Sequence, residues 1–200
     1  YLRAGRPDGP WICPVISSGA PEGPTPPRDS RVVLHLHVHY PELLSDITTR
    51  LSRNLLLPDL LVSVTSEQSR GSVSHQLEDY GGRVVAVELA PNRGRDIGPL
   101  LTAFGQRILA DYDYVGHIHT KKTAAVKDAN MGATWYRFLL ENLIGGESGG
   151  MADRILAAMH EDPSIGMTFP DDPHVVGWGA NRTVAEDLAD RMGLGRLPDH

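Results

Sequence analysis

Glu88–Thr123 reads ELAPNRGRDIGPLLTAFGQRILADYDYVGHIHTKKT. It leaves an apolar, β-branched run, passes the polar turn Asn92-Arg93-Gly94-Arg95-Asp96, and enters a helical pattern with Pro99 in its first turn. It then emerges through Tyr112–His119 as a second extended run that ends His-Ile-His and a basic tail. Strand, turn, helix and strand in so short a span make a βαβ unit, which demands a parallel sheet with helices on its faces.

The same rhythm extends towards the N-terminus. Arg31–Tyr40 (RVVLHLHVHY), Asp59–Thr65 (DLLVSVT) and Arg83–Leu89 (RVVAVEL) alternate or are β-branched and are predicted as strands. Pro41–Leu55 repeats leucine and isoleucine at helical spacing behind a first-turn proline. Ser66–Tyr80 is a weaker helix stopped by Gly81-Gly82, and Asp96 opens a helix running to about Ala110. Beyond the quoted stretch, Lys121–Ala133 reads as a polar loop. Trp135–Ile144, Met151–His160 and Thr183–Met192 read as helices, and Ile165–Phe169 as a short strand.

The fold class is therefore α/β, a mostly parallel sheet with flanking helices. Right-handed crossovers leave few arrangements, of which strand order 3-2-1-4 is expected. That order makes the first and fourth strands neighbours at the switch point, where open α/β sheets bind ligands beyond the carboxyl ends of their strands. Residues 1–30, rich in Pro and Gly (GAPEGPTPPRDS), read as an arm or linker, and residues 31–200 as one domain.

A net charge of -6 argues against a broad attraction to nucleic acid, and none is expected as a partner. A single cysteine, Cys13, excludes an intramolecular disulfide framework and fits a reducing, cytoplasmic location. No apolar run approaches the ~20 residues that span a bilayer, so no transmembrane segment is expected.

Candidate functional residues cluster at the carboxyl ends of the predicted strands. In Asn92–Asp96, free N–H groups and the guanidinium groups of Arg93 and Arg95 could hold an anion; the alternative is a capped turn with solvated arginines. Asp96 could cap the following helix or bind a base or sugar hydroxyl. Alternation puts His117 and His119 on one strand face, where they could share a ligand or a metal. Thr120, Lys121 and Lys122 follow with a hydroxyl and two ammonium groups suited to a diphosphate.

His35, His37 and His39 also share a face, but successive histidines along a strand stand ~6–7 Å apart and no nearby sequence carboxylate completes a metal set. His35 and His37 are read as satisfied core imidazoles, and His39, with Tyr40, as a rim residue. Asp171 and Asp172, in a Pro-flanked loop, are candidate catalytic carboxylates, against the simpler reading of a polar turn.

NRGRDIGPLL with its helix, YDYVGHIHTKKT, and the Trp-containing helix with LLENLIGG resemble the rhamnan synthesis protein F family over roughly residues 31–182. The resemblance implies a GT-A-like, Rossmann-like glycosyltransferase of rhamnose-containing surface polysaccharides. Its partners would be a nucleotide sugar, dTDP-rhamnose first among them, and a glycan or lipid-linked glycan acceptor at the inner face of the membrane. His39 and Tyr40 then match the nucleotide-side end of the first strand, and Asn92–Asp96 the segment that contacts the nucleotide. His117–His119 match the acidic DxD motif, whose aspartates hold a divalent ion. With histidines there, no cofactor is expected: Lys121, Lys122 and Arg93 or Arg95 would compensate the leaving diphosphate, a metal on His117 and His119 being the less favoured alternative. The resemblance also implies further chain after position 200, acceptor-side residues included.

Overall fold

The structure is a computed structural model. It describes residues 15–17, 29–91, 93–121, 129–147, 149–170 and 181–194. The chain divides into two compact units, Val15–Phe169 and a second made of Tyr1–Pro14 with Pro170–His200. In the second unit the described element is the helix Arg182–Met192, which ends at Gly193 in the left-handed conformation (φ 69°) with the N–H of Leu194 bonded back to the Ala189 carbonyl.

In the larger unit, β1 (Val32–Val38), β2 (Asp59–Val64), β3 (Val84–Leu89) and β4 (Tyr114–His119) form one sheet in the order β3-β2-β1-β4, and every pairing is parallel. The expected 3-2-1-4 order is the one observed. The helices are α1 (Leu44–Leu51), preceded by a 3₁₀ turn at Pro41–Leu43, α2 (Glu67–Gln76), α3 (Ile97–Thr102), α4 (Gly105–Asp111), α5 (Ala129–Leu143) and α6 (Met151–Glu161). None of the described helices is long and apolar enough to cross a membrane.

Both faces of β1 are covered, as a central parallel strand requires. Leu34, Leu36 and Val38 join Leu60, Val62, Val64 and Ile118 on one face. There they meet Leu44, Ile47 and Leu51 of α1, Val73 of α2, Leu140 of α5 and Ile144 just beyond it. Full burial of each such side chain contributes about 1.5–3 kcal/mol. The opposite face is apolar only towards the strand beginnings, where Val33 and Leu61 pack on Phe104 and on Ile108 of α4. Towards the carboxyl ends the same face carries His35, His37 and Ser63, all buried.

Several expected elements differ. The first helix stops at Leu51, not Leu55, because the Asn54 amide donates to the Arg50 and Leu51 carbonyls and to the Ile144 carbonyl (3.2, 3.2 and 2.9 Å), ending the helix on a side chain. The helix expected over Asp96–Ala110 is two short helices. Phe104 (φ -119°) leaves helical geometry between them, and its ring is 1% exposed in the core. The loop expected at Lys121–Ala133 is already helix from Ala129. Ile165–Phe169 is not a strand: no ladder among the described residues pairs with it, and Met167 and Phe169 are exposed. Extended propensity without a neighbouring edge does not make a strand.

Candidate active site at the carboxyl edge of the sheet

Parallel register sets His35 opposite His117 and His37 opposite both His119 on one side and Ser63 on the other. Register partners share a face, so residues from three strands meet under the carboxyl edge. Asp96 enters this face from the turn before α3. It occupies the N-cap position, yet its side chain makes no capping bond. Asp96 Oδ2 instead meets His117 Nε2 at 2.9 Å and His119 Nδ1 at 3.3 Å. The expected cap is thus replaced by the carboxylate that the histidines lacked in sequence.

The turn that aims Asp96 is tightly built. Gly94 (φ 72°) and Arg95 (φ 51°) are both left-handed, and a Cβ on Gly98 would lie 2.2 Å from the Arg93 carbonyl. A non-glycine residue held at positive φ costs of order 1 kcal/mol or more, and such strain collects at functional sites. The N–H of Gly98 returns to the Gly94 carbonyl at 2.8 Å, closing the turn.

A continuous hydrogen-bond chain runs inward from Asp96. His117 Nδ1 lies 2.9 Å from His35 Nδ1, His35 Nε2 lies 3.0 Å from Ser63 Oγ, and His37 Nδ1 lies 2.9 Å from the same hydroxyl. The His35 and His117 rings are 15° from parallel with centroids 5.0 Å apart, the spacing of an edge-to-edge N–H···N bond between nearly coplanar rings. Burial, with the neighbouring His117 and His37, pushes His35 down to about 3, so it is neutral. Burial likewise lowers His37 and His119, each against the pull of Asp96. Burial opposes ionisation of Asp96, but bonds from His117 and its own backbone, with His119 nearby, hold it below the usual carboxylate range.

These facts orient the Asp96 end of the chain. An ionised Asp96 only accepts, so His117 Nε2 donates to it. If His117 Nδ1 accepts, His35 Nδ1 donates to it, Ser63 Oγ donates to His35 Nε2, and His37 Nδ1 donates to Ser63 Oγ; if His117 Nδ1 donates, each of these bonds runs the other way. Each polar atom from His37 Nδ1 to Asp96 Oδ2 along the line has a partner. Reversing each bond in turn keeps every contact, so the chain has two self-consistent hydrogen arrangements.

Thr120 corrects a second expectation. Its hydroxyl was assigned to a diphosphate, but Thr120 is 3% exposed and its Oγ1 accepts the N–H groups of His39 and Tyr40, both at 2.9 Å. With Thr120 N–H donating to the His37 carbonyl at 3.0 Å, it fastens the ends of β1 and β4 together. His39 is exposed at the rim, its Nδ1 3.4 Å from Thr65 Oγ1 and its ring edge-on to Tyr40 at 4.8 Å. Arg93 and Arg95 are exposed in the turn before α3. Lys121 is also exposed, and its ammonium lies over the Trp135 ring, 4.9 Å from the centroid. Asn92, Lys122, Asp171 and Asp172 lie outside the described residues.

The structure therefore joins Asp96, His117 and His119 with His35 and His37, read from sequence as satisfied core imidazoles, and with Ser63, which sequence reasoning passed over. The available signal for Ser63 was a lone hydroxyl within the otherwise apolar run LLVSV. One ligand atom from each of Asp96, His117 and His119 lies within 4.8 Å of the other two, close enough to share one ion. A surface concavity of about 590 Å³ lies at the opposite end of the sheet, beside Arg31, Asp59, Arg83 and Tyr112. There Asp59 is already bonded to Arg83 and Tyr112, so that hollow presents a satisfied ion pair in place of converging free groups.

A family model described as Rhamnan synthesis protein F matches residues 13–198. The chain is also similar to "Uncharacterized protein WxcX" of Xanthomonas campestris pv. campestris (strain B100), with 26% identity over 169 residues, 79% of this chain. It spans 22% of that relative's length. No solved structure matches.

Proposed function

The chain belongs to the rhamnan synthesis protein F family, and on that premise we propose that it forms the nucleotide-sugar-binding part of a glycosyltransferase of cell-surface polysaccharide synthesis. It would transfer a deoxyhexose, rhamnose first among candidates, from a dTDP-sugar to a glycan acceptor. The observation that carries this reading is the convergence of Asp96, His117 and His119 at the carboxyl edge of the β1–β4 pair, the switch point of the sheet.

In the reaction a base removes the acceptor hydroxyl proton, the oxygen attacks the anomeric carbon, and the nucleoside diphosphate leaves with the electrons of the broken C–O bond. Arg93 and Arg95 stand in the turn beside Asp96, and Lys121 lies two residues past the end of β4, positions from which cations can meet the departing charge. Lys122 extends that basic run, and Asp171 or Asp172 is the proposed base. His39 and Tyr40 present an exposed imidazole and a phenol ring to the nucleoside.

A second reading is a sugar-nucleotide or glycan-binding module without catalysis. It is favoured by the commitment of Asp96 to two imidazoles, which leaves that carboxylate poorly placed to act as a free base. Incubating the chain, within its full-length protein, with dTDP-rhamnose and a rhamnan oligosaccharide separates the two. Release of dTDP with a lengthened glycan supports transfer. Saturable dTDP binding with no release supports the binding module, and neither binding nor release removes both.

A further inference from the structure

We propose that Asp96, His117 and His119 bind one divalent transition-metal ion at the carboxyl edge of β4. The three donor atoms come from two rigidly placed segments. His117 and His119 are fixed by the register of β4 on β1, and Asp96 by the glycine-closed turn Arg93–Gly98. Asp96 Oδ2 lies 2.9 Å from His117 Nε2 and 3.3 Å from His119 Nδ1. Ligand atoms around an ion with bonds of 2.0–2.2 Å stand about 3.0–3.5 Å apart, close to both Asp96 distances, and the trio as a whole, within 4.8 Å, draws in around the ion by side-chain rotation. Two imidazoles and one carboxylate favour zinc, cobalt, iron or manganese over magnesium or calcium, which prefer all-oxygen sets.

Two further features separate this trio from a chance cluster. First, the other ring nitrogen of His117 has an outer hydrogen-bond partner, as metal-bound histidines generally do, here the His35 imidazole in the place usually taken by a carboxylate, carbonyl or water; His35 is backed in turn by Ser63 and His37. An ion on His117 Nε2 displaces the hydrogen from that nitrogen, and the same hydrogen count is kept by shifting it to Nδ1. His117 Nδ1 then donates to His35 Nδ1, His35 Nε2 donates to Ser63, Ser63 donates to His37 Nδ1, and His37 carries its hydrogen on Nε2. Each bond survives reversed, so the buried chain suits the metal-bound state as well as the empty one. Second, the trio is reachable: the His119 side chain is 38% exposed, and those of His117 and Asp96 are 20% and 21% exposed. With three protein ligands, positions remain for water or an anionic oxygen. One carboxylate against a divalent charge leaves the site net positive, suited to a diphosphate oxygen. That last step rests on the glycosyltransferase reading, whereas metal binding does not.

The test uses the full chain, stripped with EDTA and titrated with zinc by calorimetry and with cobalt by visible absorption. The expected result is one ion per chain, with tetrahedral or five-coordinate cobalt bands and no competition from millimolar magnesium. His119→Ala and Asp96→Ala should each weaken zinc binding by roughly 100-fold or more, while His75→Ala, at an exposed helix position, leaves it unchanged. Circular dichroism shows that each variant is folded. His119→Gln, which keeps bulk at a half-exposed site, serves if the alanine variant does not fold. ¹⁵N spectra should show His35 carrying its hydrogen on Nε2 in the zinc-bound protein. Absence of stoichiometric binding by the wild-type chain overturns the proposal, as does binding that survives both Asp96 and His119 replacement. Tight zinc binding by a protein that transfers no sugar supports the site and sinks the reaction. Transfer that proceeds in a protein taking up no zinc or cobalt does the reverse.

Discussion

Ser63→Ala tests the buried polar chain directly. Ser63 is 0% exposed, and its single hydroxyl serves His35 Nε2 at 3.0 Å and His37 Nδ1 at 2.9 Å. Alanine removes one donor and one acceptor, leaving two ring nitrogens without partners in a region where His35 is wholly buried and His37 is 6% exposed. Each orphaned buried group costs about 1–3 kcal/mol, while about 1 kcal/mol is recovered because no hydroxyl need be desolvated. The expected net loss is about 2–4 kcal/mol, and for a unit of this size a Tm decrease on the order of 10 °C. Urea unfolding followed by far-ultraviolet circular dichroism measures it, with tryptophan fluorescence checking that a single transition is seen. Because both rings depend on one atom, His37→Leu in the Ser63→Ala background should cost less than it does alone, by about 1–2 kcal/mol. A Ser63→Ala loss under about 0.5 kcal/mol, or strict additivity with His37→Leu, would refute the linked chain.

Three further outcomes follow from the same geometry. Asp153, 8% exposed near the start of α6, accepts the N–H groups of Leu55 and Leu56 at 2.6 and 3.1 Å, so Asp153→Ala should cost about 3–5 kcal/mol in urea unfolding. Thr120→Val keeps the shape but removes the acceptor for two N–H groups; a loss of about 1–3 kcal/mol is expected, with faster hydrogen exchange at His39 and Tyr40 than at Leu36. Asp59 is held below the ordinary carboxylate range first by the bond from Arg83, against partial burial, and also by Tyr112. A depressed folded pKa means that this contribution is complete above the unfolded carboxylate pKa of about 3.9 and is lost as pH falls through the folded value. Stability curves of Asp59→Asn and the parent should therefore converge in acid and separate above about pH 5; parallel curves would refute the assignment.

Much of the scaffold was legible in the chain because parallel strands buried on both faces leave a local trace. The runs around Val33, Leu61 and Val85 are short, β-branched and separated by helical spacing, and the turn rich in Gly and Arg marks where β3 gives way to α3. Strand ends were harder to place, as the non-strand Ile165–Phe169 shows, because a strand exists only where a neighbour supplies hydrogen bonds. The division of Asp96–Ala110 into two helices likewise reflects Phe104 turning into the core, a tertiary demand that helical periodicity does not record.

The site divides along the same line. His117 and His119 were visible as a pair because alternation is local: residues two apart on a strand share a face whatever else the chain does. That Asp96 meets both, that His35 backs His117 across 82 positions, and that Ser63 joins His35 to His37 were decided only by the β3-β2-β1-β4 order and its register. Hydrogen bonds reach ~3 Å, and sequence carries no measure of that distance between segments brought together by folding. The amino-acid sequence by itself thus determined the layers and the edge at which a ligand would sit. Tertiary packing turned Thr120 from ligand donor into strand clamp, and Asp96 from helix cap into the carboxylate that two histidines share.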